Sequence, residues 1–92
     1  MIKSFKHKGL QKFYETGSKA GINPLHATRL ENLLGSLNLA RTPQDMDEPG
    51  RFLHPLHGEL AGHWSVRVSG NWRMTFRFRG SDAEVVDYQD YH

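Results

Sequence analysis

The residues of this chain best suited to chemistry are its six histidines, the run Asp90-Tyr91-His92 at the end, and arginines spread along strand-like segments. Imidazoles, a carboxylate, a phenol and arginines, with no evident metal site, suit cleavage of RNA by internal attack. The 2′-hydroxyl must lose a proton, and a base that titrates near neutrality does this best, which favours His. The developing dianionic phosphorane needs cations, and Arg presents a planar fork to phosphate oxygens. The departing 5′-oxygen needs a proton donor. An aromatic ring can stack on an unpaired base. Such a mechanism is confined to RNA, because DNA lacks the 2′-hydroxyl.

Placement decides whether these groups can act together. Terminal residues usually fray, yet Asp90-Tyr91-His92 follows directly on a run that reads as a strand and is expected to be held by it. His92 would then bring the terminal α-carboxylate beside its imidazole. Upstream, His54 and His57 stand on either side of Pro55, and with His63 they give a His-x2-His-x5-His spacing. Cysteine is absent, Pro55 disfavours a helical ligand pair, and no carboxylate ligands are evident nearby. A zinc site is therefore disfavoured and no cofactor is expected. There is no Gly-rich phosphate loop and no nucleophile elbow. His7, His26 and His63 are expected to be ordinary loop or sheet-edge residues.

The elements that must position these groups follow from periodicity. Ile2 and Phe5 fit a short first strand. Leu10, Phe13 and Tyr14 have helical spacing, with Gly17 as a stop. Asn23 is a good N-cap and Pro24 suits the first helical position. Leu30, Leu33, Leu34 and Leu37 then line one face, and Thr42-Pro43 is expected to end this helix. Residues 43–50 read as loop with one helical turn. From Arg51 the period changes to two. Trp64, Val66 and Val68 alternate with His63, Ser65 and Arg67, and Trp72, Met74, Phe76 and Phe78 alternate with arginines and Thr75. Ala83 and Val85 continue the pattern. Two helices followed by an antiparallel meander predict an α+β domain, with helices on one face of the sheet.

Keeping the apolar set on one side fixes the register. A three-residue loop, Ser69-Gly70-Asn71, pairs Val68 with Trp72, Val66 with Met74 and Trp64 with Phe76. The polar face then sets Arg67 against Arg73 and His63 against Arg77. Like charges directly opposite are destabilising, and an anion between them would resolve the conflict. A two-residue loop at Gly80-Ser81 pairs Phe78 with Ala83, Phe76 with Val85, Arg79 with Asp82 and Arg77 with Glu84. Continued along the strand, this register places Tyr88 opposite Arg73, and Asp90 and His92 on the Arg73 face. A plain salt bridge between Asp90 and Arg73 is the alternative use of that face. Tyr91 would point away unless the strand bends.

Composition bounds the function. Ninety-two residues make one modest core, and the expected domain spans 1–92. The chain has 12 Lys+Arg against 10 Asp+Glu, a net charge of +2. Residues 1–43 hold seven of the basic groups against two acids, Glu15 and Glu31. Such asymmetry suits a polyanionic partner, although a solvated helix face gives the same pattern. The lack of cysteine excludes disulfides and thiolate metal sites and fits a reducing cytosol. The N-terminal region has no apolar stretch long enough for a signal peptide or a membrane span.

Several blocks in order resemble a known family. Met1-Ile2-Lys3-Ser4-Phe5-Lys6-His7-Lys8-Gly9-Leu10, Leu53-His54-Pro55-Leu56-His57-Gly58, Gly62-His63-Trp64-Ser65-Val66-Arg67-Val68, Asn71-Trp72-Arg73-Met74-Thr75-Phe76 and Asp87-Tyr88-Gln89-Asp90-Tyr91-His92 are similar to HigB-type toxins. These belong to the RelE/ParE superfamily of bacterial toxin–antitoxin systems. The resemblance implies a RelE-like α+β fold, with a short N-terminal strand and two helices packed on a mainly antiparallel twisted sheet. It implies a cytoplasmic, ribosome-dependent messenger RNA endonuclease that cuts in the A site. It also implies neutralisation by a HigA-type antitoxin with a helix-turn-helix, which carries the complex to operator DNA, and no membrane partner. The basic helices would grip small-subunit ribosomal RNA.

By position in the matching blocks, His54, Arg73, Asp90, Tyr91 and His92 carry over as catalytic residues. His57 and Arg67 are substrate-binding candidates, and His57 stands where many relatives have lysine. The expected roles are Arg73 on the scissile phosphate, Asp90 or His92 as base, His54 as acid or phosphate contact, and Tyr91 stacking on or positioning the substrate. Two rival functions share the pattern: a ParE-like toxin that binds DNA gyrase, and a nucleic-acid-binding module without catalysis.

Overall fold

The helices form where the apolar spacing predicts them. Leu10 and Phe13 are the buried positions of α1 (Lys8–Thr16). His7 caps its start, with Nδ1 accepting from the Leu10 N–H at 2.9 Å. Gly17 closes it in the left-handed conformation, φ 81°, its N–H donating to the Phe13 carbonyl; glycine does this without a Cβ penalty. Asn23 and Pro24 do start helical structure, but first as a single 3₁₀ turn, Pro24–His26. α2 (Ala27–Leu39) follows and buries Ala27, Leu30, Leu33, Leu34 and Leu37. It stops at Ala40, where the backbone turns extended, slightly earlier than Thr42-Pro43. A second 3₁₀ turn, Pro43–Met46, occupies the loop beyond.

The computed structural model describes residues 1–91; His92 lies outside the described residues. The sheet has four antiparallel strands in chain order, β1 (His54–Pro55), β2 (Trp64–Ser69), β3 (Trp72–Arg79) and β4 (Asp82–Asp90). Ile2 and Phe5 bridge in parallel to Ala83 and Val86 on the outer edge of β4, so the first residues extend the sheet as a short strand would. The leucines of α2 join Val66, Val68, Met74, Phe76, Ala83, Val86 and Tyr88 in one buried cluster. Truncating a buried leucine of this kind to alanine costs about 2–5 kcal/mol. The helices therefore cover one sheet face, and the other is left for polar residues.

Two bulges modify the expected register. In the first hairpin, Trp64 pairs with Phe76, Val66 with Met74 and Arg67 with Arg73, as alternation requires. The register then shifts, and Ser69 rather than Val68 stands opposite Trp72. The loop shrinks to Gly70-Asn71, a favoured two-residue length, while the extra residue lets Val68 stay buried.

The second bulge matters more. Phe78 pairs with Ala83, Arg77 with Glu84 and Arg79 with Asp82, as expected, but Thr75 pairs with Asp87. Phe76 is thus opposed by both Val85 and Val86 instead of Val85 alone, and Val85 takes a positive φ of 49°. A β-branched residue in that region costs about 1–2 kcal/mol. Without the shift Val86 and Tyr88 would point away from the helices; with it they are 0% and 4% exposed. Burying side chains of this size is worth roughly 1.5–3 kcal/mol each, so the bulge wins. Every side chain after it changes face relative to a regular strand.

Candidate active site

Cross-strand partners share a face, so the pairings define what lies on the sheet surface opposite the helices. One row runs His54, Ser65, Thr75, Asp87 across all four strands. The next runs Arg67, Arg73, Gln89. Tyr91 follows Gln89 by one alternation, held in line by its N–H on the Asn71 carbonyl at 2.9 Å. Ser65, Thr75 and Asp87 are buried, whereas His54 and Arg67 are exposed and Arg73, Gln89 and Tyr91 are half-buried.

The placement of Asp90 corrects the register expectation. Asp90 stands opposite Trp72 and shares the helix-covered face with Tyr88, not the Arg73 face, and Gln89 rather than Tyr88 stands opposite Arg73. The Val85 bulge is the physical reason. The same shift brings Tyr91 onto the Arg73 face, as a bend in the strand would be needed to do. Asp90 is exposed at the end of β4, where its charge helps to keep the buried Tyr88 phenol protonated.

Arg67 and Arg73 directly face one another. Among the described residues no carboxylate lies within ion-pair distance of either; the ion pairs are Met1–Asp82, Arg51–Glu48 and Arg77–Glu84. The Arg77–Glu84 contact, 2.8 Å, is the local neutralisation expected for that row. Arg73 instead donates to the carbonyls of Gly70 and Trp72 at 2.6 and 3.1 Å, which folds its guanidinium over the hairpin turn. Two cations set opposite each other make a site that attracts an anion.

His54 is oriented by its own strand. Its Nδ1 lies 2.9 Å from the Phe52 carbonyl oxygen. A carbonyl can only accept, so Nδ1 carries the hydrogen and Nε2 is the nitrogen left to work. Phe52 reaches this position with a φ of 52°, a left-handed conformation costing a non-glycine residue about 1–2 kcal/mol. The side chain of Phe52 is exposed, and the Arg67 guanidinium carbon sits 5.5 Å from its ring centroid.

Tyr91 completes the face. Partial burial pushes its phenol above the usual range, the Asp87 carboxylate pushes the same way, and Arg73 opposes both. Asp87 is itself anchored, accepting from the Tyr88 N–H at 2.9 Å and from the Gln89 side-chain amide. Tyr91 is therefore a neutral O–H donor beside a cation.

Other expected groups lie elsewhere. His57 is exposed in the loop after β1 and makes no capping bond there. His7 and His26 pack around Tyr88 on the helix side, where the His26 Nδ1 is 2.6 Å from the Tyr88 hydroxyl. Arg29, counted among the basic residues expected to grip RNA, donates to the carbonyls of Gly50 and Arg67 and ties α2 to the approach of β1. Among the described residues no three of His, Cys, Asp and Glu gather to hold a metal ion, and no helix is long and apolar enough to cross a membrane. Phe52, Asp87 and Gln89 were not singled out by residue type. The adjacent apolar residues Val85 and Val86, with Tyr88 in phase with Val86 only, are the signal that would have placed Asp87 and Gln89. Nothing in the residue order distinguishes exposed Phe52 from a core phenylalanine.

Comparison with known proteins adds to this geometry. Residues 3–92 match the family model of HigB-like toxins, described as the RelE-like toxin of the type II toxin–antitoxin system HigB. A curated relative, the endoribonuclease HigB of Proteus vulgaris, is 40% identical over 92 residues and covers 100% of both chains. Among solved structures, a YoeB/ParE toxin from Agrobacterium tumefaciens superposes over 100% of both chains with a TM-score of 0.66 at 21% identity. That last likeness speaks for the fold.

Proposed function

The chain belongs to the HigB-like family of RelE-like toxins in type II toxin–antitoxin systems, and from that premise we propose that it is an endoribonuclease that cuts messenger RNA in the ribosomal A site. The observation that carries this reading is the opposed pair Arg67 and Arg73 on the same face as His54 and Tyr91. A phosphodiester bound between the arginines meets the groups that internal attack requires. His54 Nε2, left bare in the neutral ring by the Phe52 carbonyl contact, takes the proton of the 2′-hydroxyl. The 2′-oxygen attacks phosphorus, and Arg73, with Arg67, stabilises the phosphorane charge. The 5′-oxygen leaves taking a proton from water, His54 afterwards returns the 2′-hydroxyl proton to solvent, and the products are a 2′,3′-cyclic phosphate and a 5′-hydroxyl. The Tyr91 O–H is placed to donate a hydrogen bond to the phosphorane or the departing oxygen.

Asp90 and His92 stay in this proposal as catalytic candidates through the family likeness alone, since Asp90 stands opposite Trp72 on the helix-covered face. His57 is a peripheral cation when protonated. With few acid/base groups of its own, the toxin relies on the ribosome to align the message. It acts in the bacterial cytoplasm, where translating ribosomes are, and its inhibitor is a HigA-type antitoxin that also contacts operator DNA. The curated relative's printed activity supports nuclease chemistry over gyrase binding.

Primer-extension mapping on ribosome-bound message tests the reading. Wild-type toxin should give 5′ ends in phase with codons, and Arg73→Ala should not. Intact message together with DNA damage would replace this reading with gyrase poisoning, and RNA binding without cuts would leave a non-catalytic module.

A further inference from the structure

Only the backbone carbonyl of Phe52 enters the proton transfers above, through His54 Nδ1; its side chain has no part in them, yet it is presented to solvent at the site. Phe52 is 62% exposed and belongs to no part of the core. Its backbone is held in the left-handed region, φ 52°, between two fixed points. On one side the Arg51 carbonyl accepts from the Arg67 N–H at 2.7 Å; on the other, the carbonyl of Phe52 itself binds His54 Nδ1. The ring is therefore tied to the working imidazole by two residues of chain. It also lies against the Arg67 guanidinium, 5.5 Å from carbon to centroid.

An exposed phenylalanine among cations has few apolar neighbours to bind. The ligand it fits is a planar group carried on an anionic backbone. We propose that Phe52 is a substrate-binding residue that stacks on an unpaired RNA base beside the scissile phosphate, with Arg67 placing that phosphate and bracing the ring. Base–aromatic stacking tolerates any base but depends on a π-face, and the Arg67–Phe52 contact is the cation–π arrangement that holds such a platform in place. This rests on the ribonuclease reading and extends it to the recognition of a base. The nucleotide stacked on Phe52 is flipped from its neighbours, so the residue contributes to where the cut falls as well as how tightly the message is held.

The test uses purified toxin on ribosomes programmed with a defined message, with a single abasic nucleotide moved through and around the A-site codon. Wild type should lose on the order of tenfold in kcat/KM at one abasic position. Phe52→Leu should lose a similar factor on the intact message and show no further loss at that position, since the base and the ring are then uncoupled. Phe52→Trp should retain cleavage and show an abasic penalty at least as large as wild type. The pH profile should be the same in all three, because the Phe52 carbonyl that holds His54 is retained. Equal cleavage by wild type and Phe52→Leu, or the same abasic profile in both, would overturn the proposal. If Phe52→Leu does not fold, an abasic penalty missing from both wild type and Phe52→Trp would overturn it. A wild-type toxin that cuts no message overturns the ribonuclease reading itself, a distinct result.

Discussion

The Nδ1 of His54 lies 2.9 Å from the carbonyl oxygen of Phe52, so this imidazole has one nitrogen committed to the backbone and one free. With Nε2 as the base, His54→Ala should lower the single-turnover cleavage rate by roughly 10²–10⁴-fold, the usual contribution of a positioned proton-transfer group. Melting should change little, because the side chain is exposed. A variant that cleaves at the wild-type rate would remove His54 from the mechanism.

Arg73 faces Arg67 across the strands and has its guanidinium folded over the hairpin turn by the Gly70 and Trp72 carbonyls. A phosphate between the two arginines would be held by a planar fork, which lysine cannot offer. Arg73→Lys should therefore resemble Arg73→Ala, both losing about 10²–10³-fold in the chemical step. Salt should weaken message binding in wild type more than in Arg73→Ala, because one phosphate contact is gone, whereas Arg73→Lys keeps the charge and with it the salt dependence. Rescue to near wild-type rate by lysine would show that charge alone suffices. Growth arrest on induction, followed beside the folded fraction, checks both.

Much of this site could be read from residue order, and the part that could not has a definite physical origin. Alternation forced Trp64 onto Phe76, Val66 onto Met74 and Arg67 onto Arg73, because any other register would expose an apolar set. Gly17 and Asn23 announced their turns through local chemistry that tertiary packing does not override. Regular alternation puts the end of the last strand on the wrong face because a bulge is a trade between backbone strain and distant packing. Val85 accepts a positive φ so that Val86 and Tyr88 can reach the core built by α2. Nothing near Val85 in sequence states that balance, although the Val85-Val86 doublet marks where the phase breaks. Its consequence is functional: Tyr91, and not Asp90, shares a face with Arg73. Phe52 was hidden for the opposite reason, since an exposed aromatic residue looks like a core residue until the fold is known.

Tyr88 links the sheet to the buried histidine behind it. Its hydroxyl is 2.6 Å from His26 Nδ1, its ring stacks on Trp72 with centroids 4.6 Å apart, and the side chain is nearly inaccessible. Burial raises the phenol above its ordinary value, and Asp90 adds to the effect against an opposing backbone hydrogen bond at Asn23. An unfolded tyrosine titrates near pH 10. Above about pH 10 the unfolded chain has lost this proton while the folded chain keeps it, so stability falls with rising pH. The contribution is fully present below that point and is lost as pH rises through the folded value. Tyr91, also raised, adds to the same alkaline loss. Tyr88→Phe should diminish the alkaline fall in melting temperature. At neutral pH it should cost about 1–3 kcal/mol, because the buried His26 ring nitrogen loses its partner. Melting curves of wild type, Tyr88→Phe and Tyr91→Phe between neutral and alkaline pH separate the two tyrosines. An alkaline fall unchanged in Tyr88→Phe would assign it elsewhere.

Two glycine-to-alanine changes should move stability in opposite directions. Gly35 lies on an exposed turn inside α2, and a Cβ there would meet nothing within 4 Å. Helix interiors favour alanine over glycine by roughly 0.5–1 kcal/mol. Gly35→Ala should therefore raise the melting temperature by several degrees, given about 4–8 °C per kcal/mol for a domain of this size. Gly9, in α1, packs directly on the Gly21 backbone, and a Cβ at Gly9 would collide with the Gly21 carbonyl oxygen. Backbone cannot swing aside as a flexible side chain can, so α1 and the segment before α2 must separate. Overpacking of this kind costs about 1–3 kcal/mol, more than the helix propensity gained. Gly9→Ala should melt earlier than wild type despite sharing the same favourable local preference as Gly35→Ala. Denaturant midpoints for the two variants measure the difference directly, and a stabilised Gly9→Ala would mean that α1 is not pinned against Gly21.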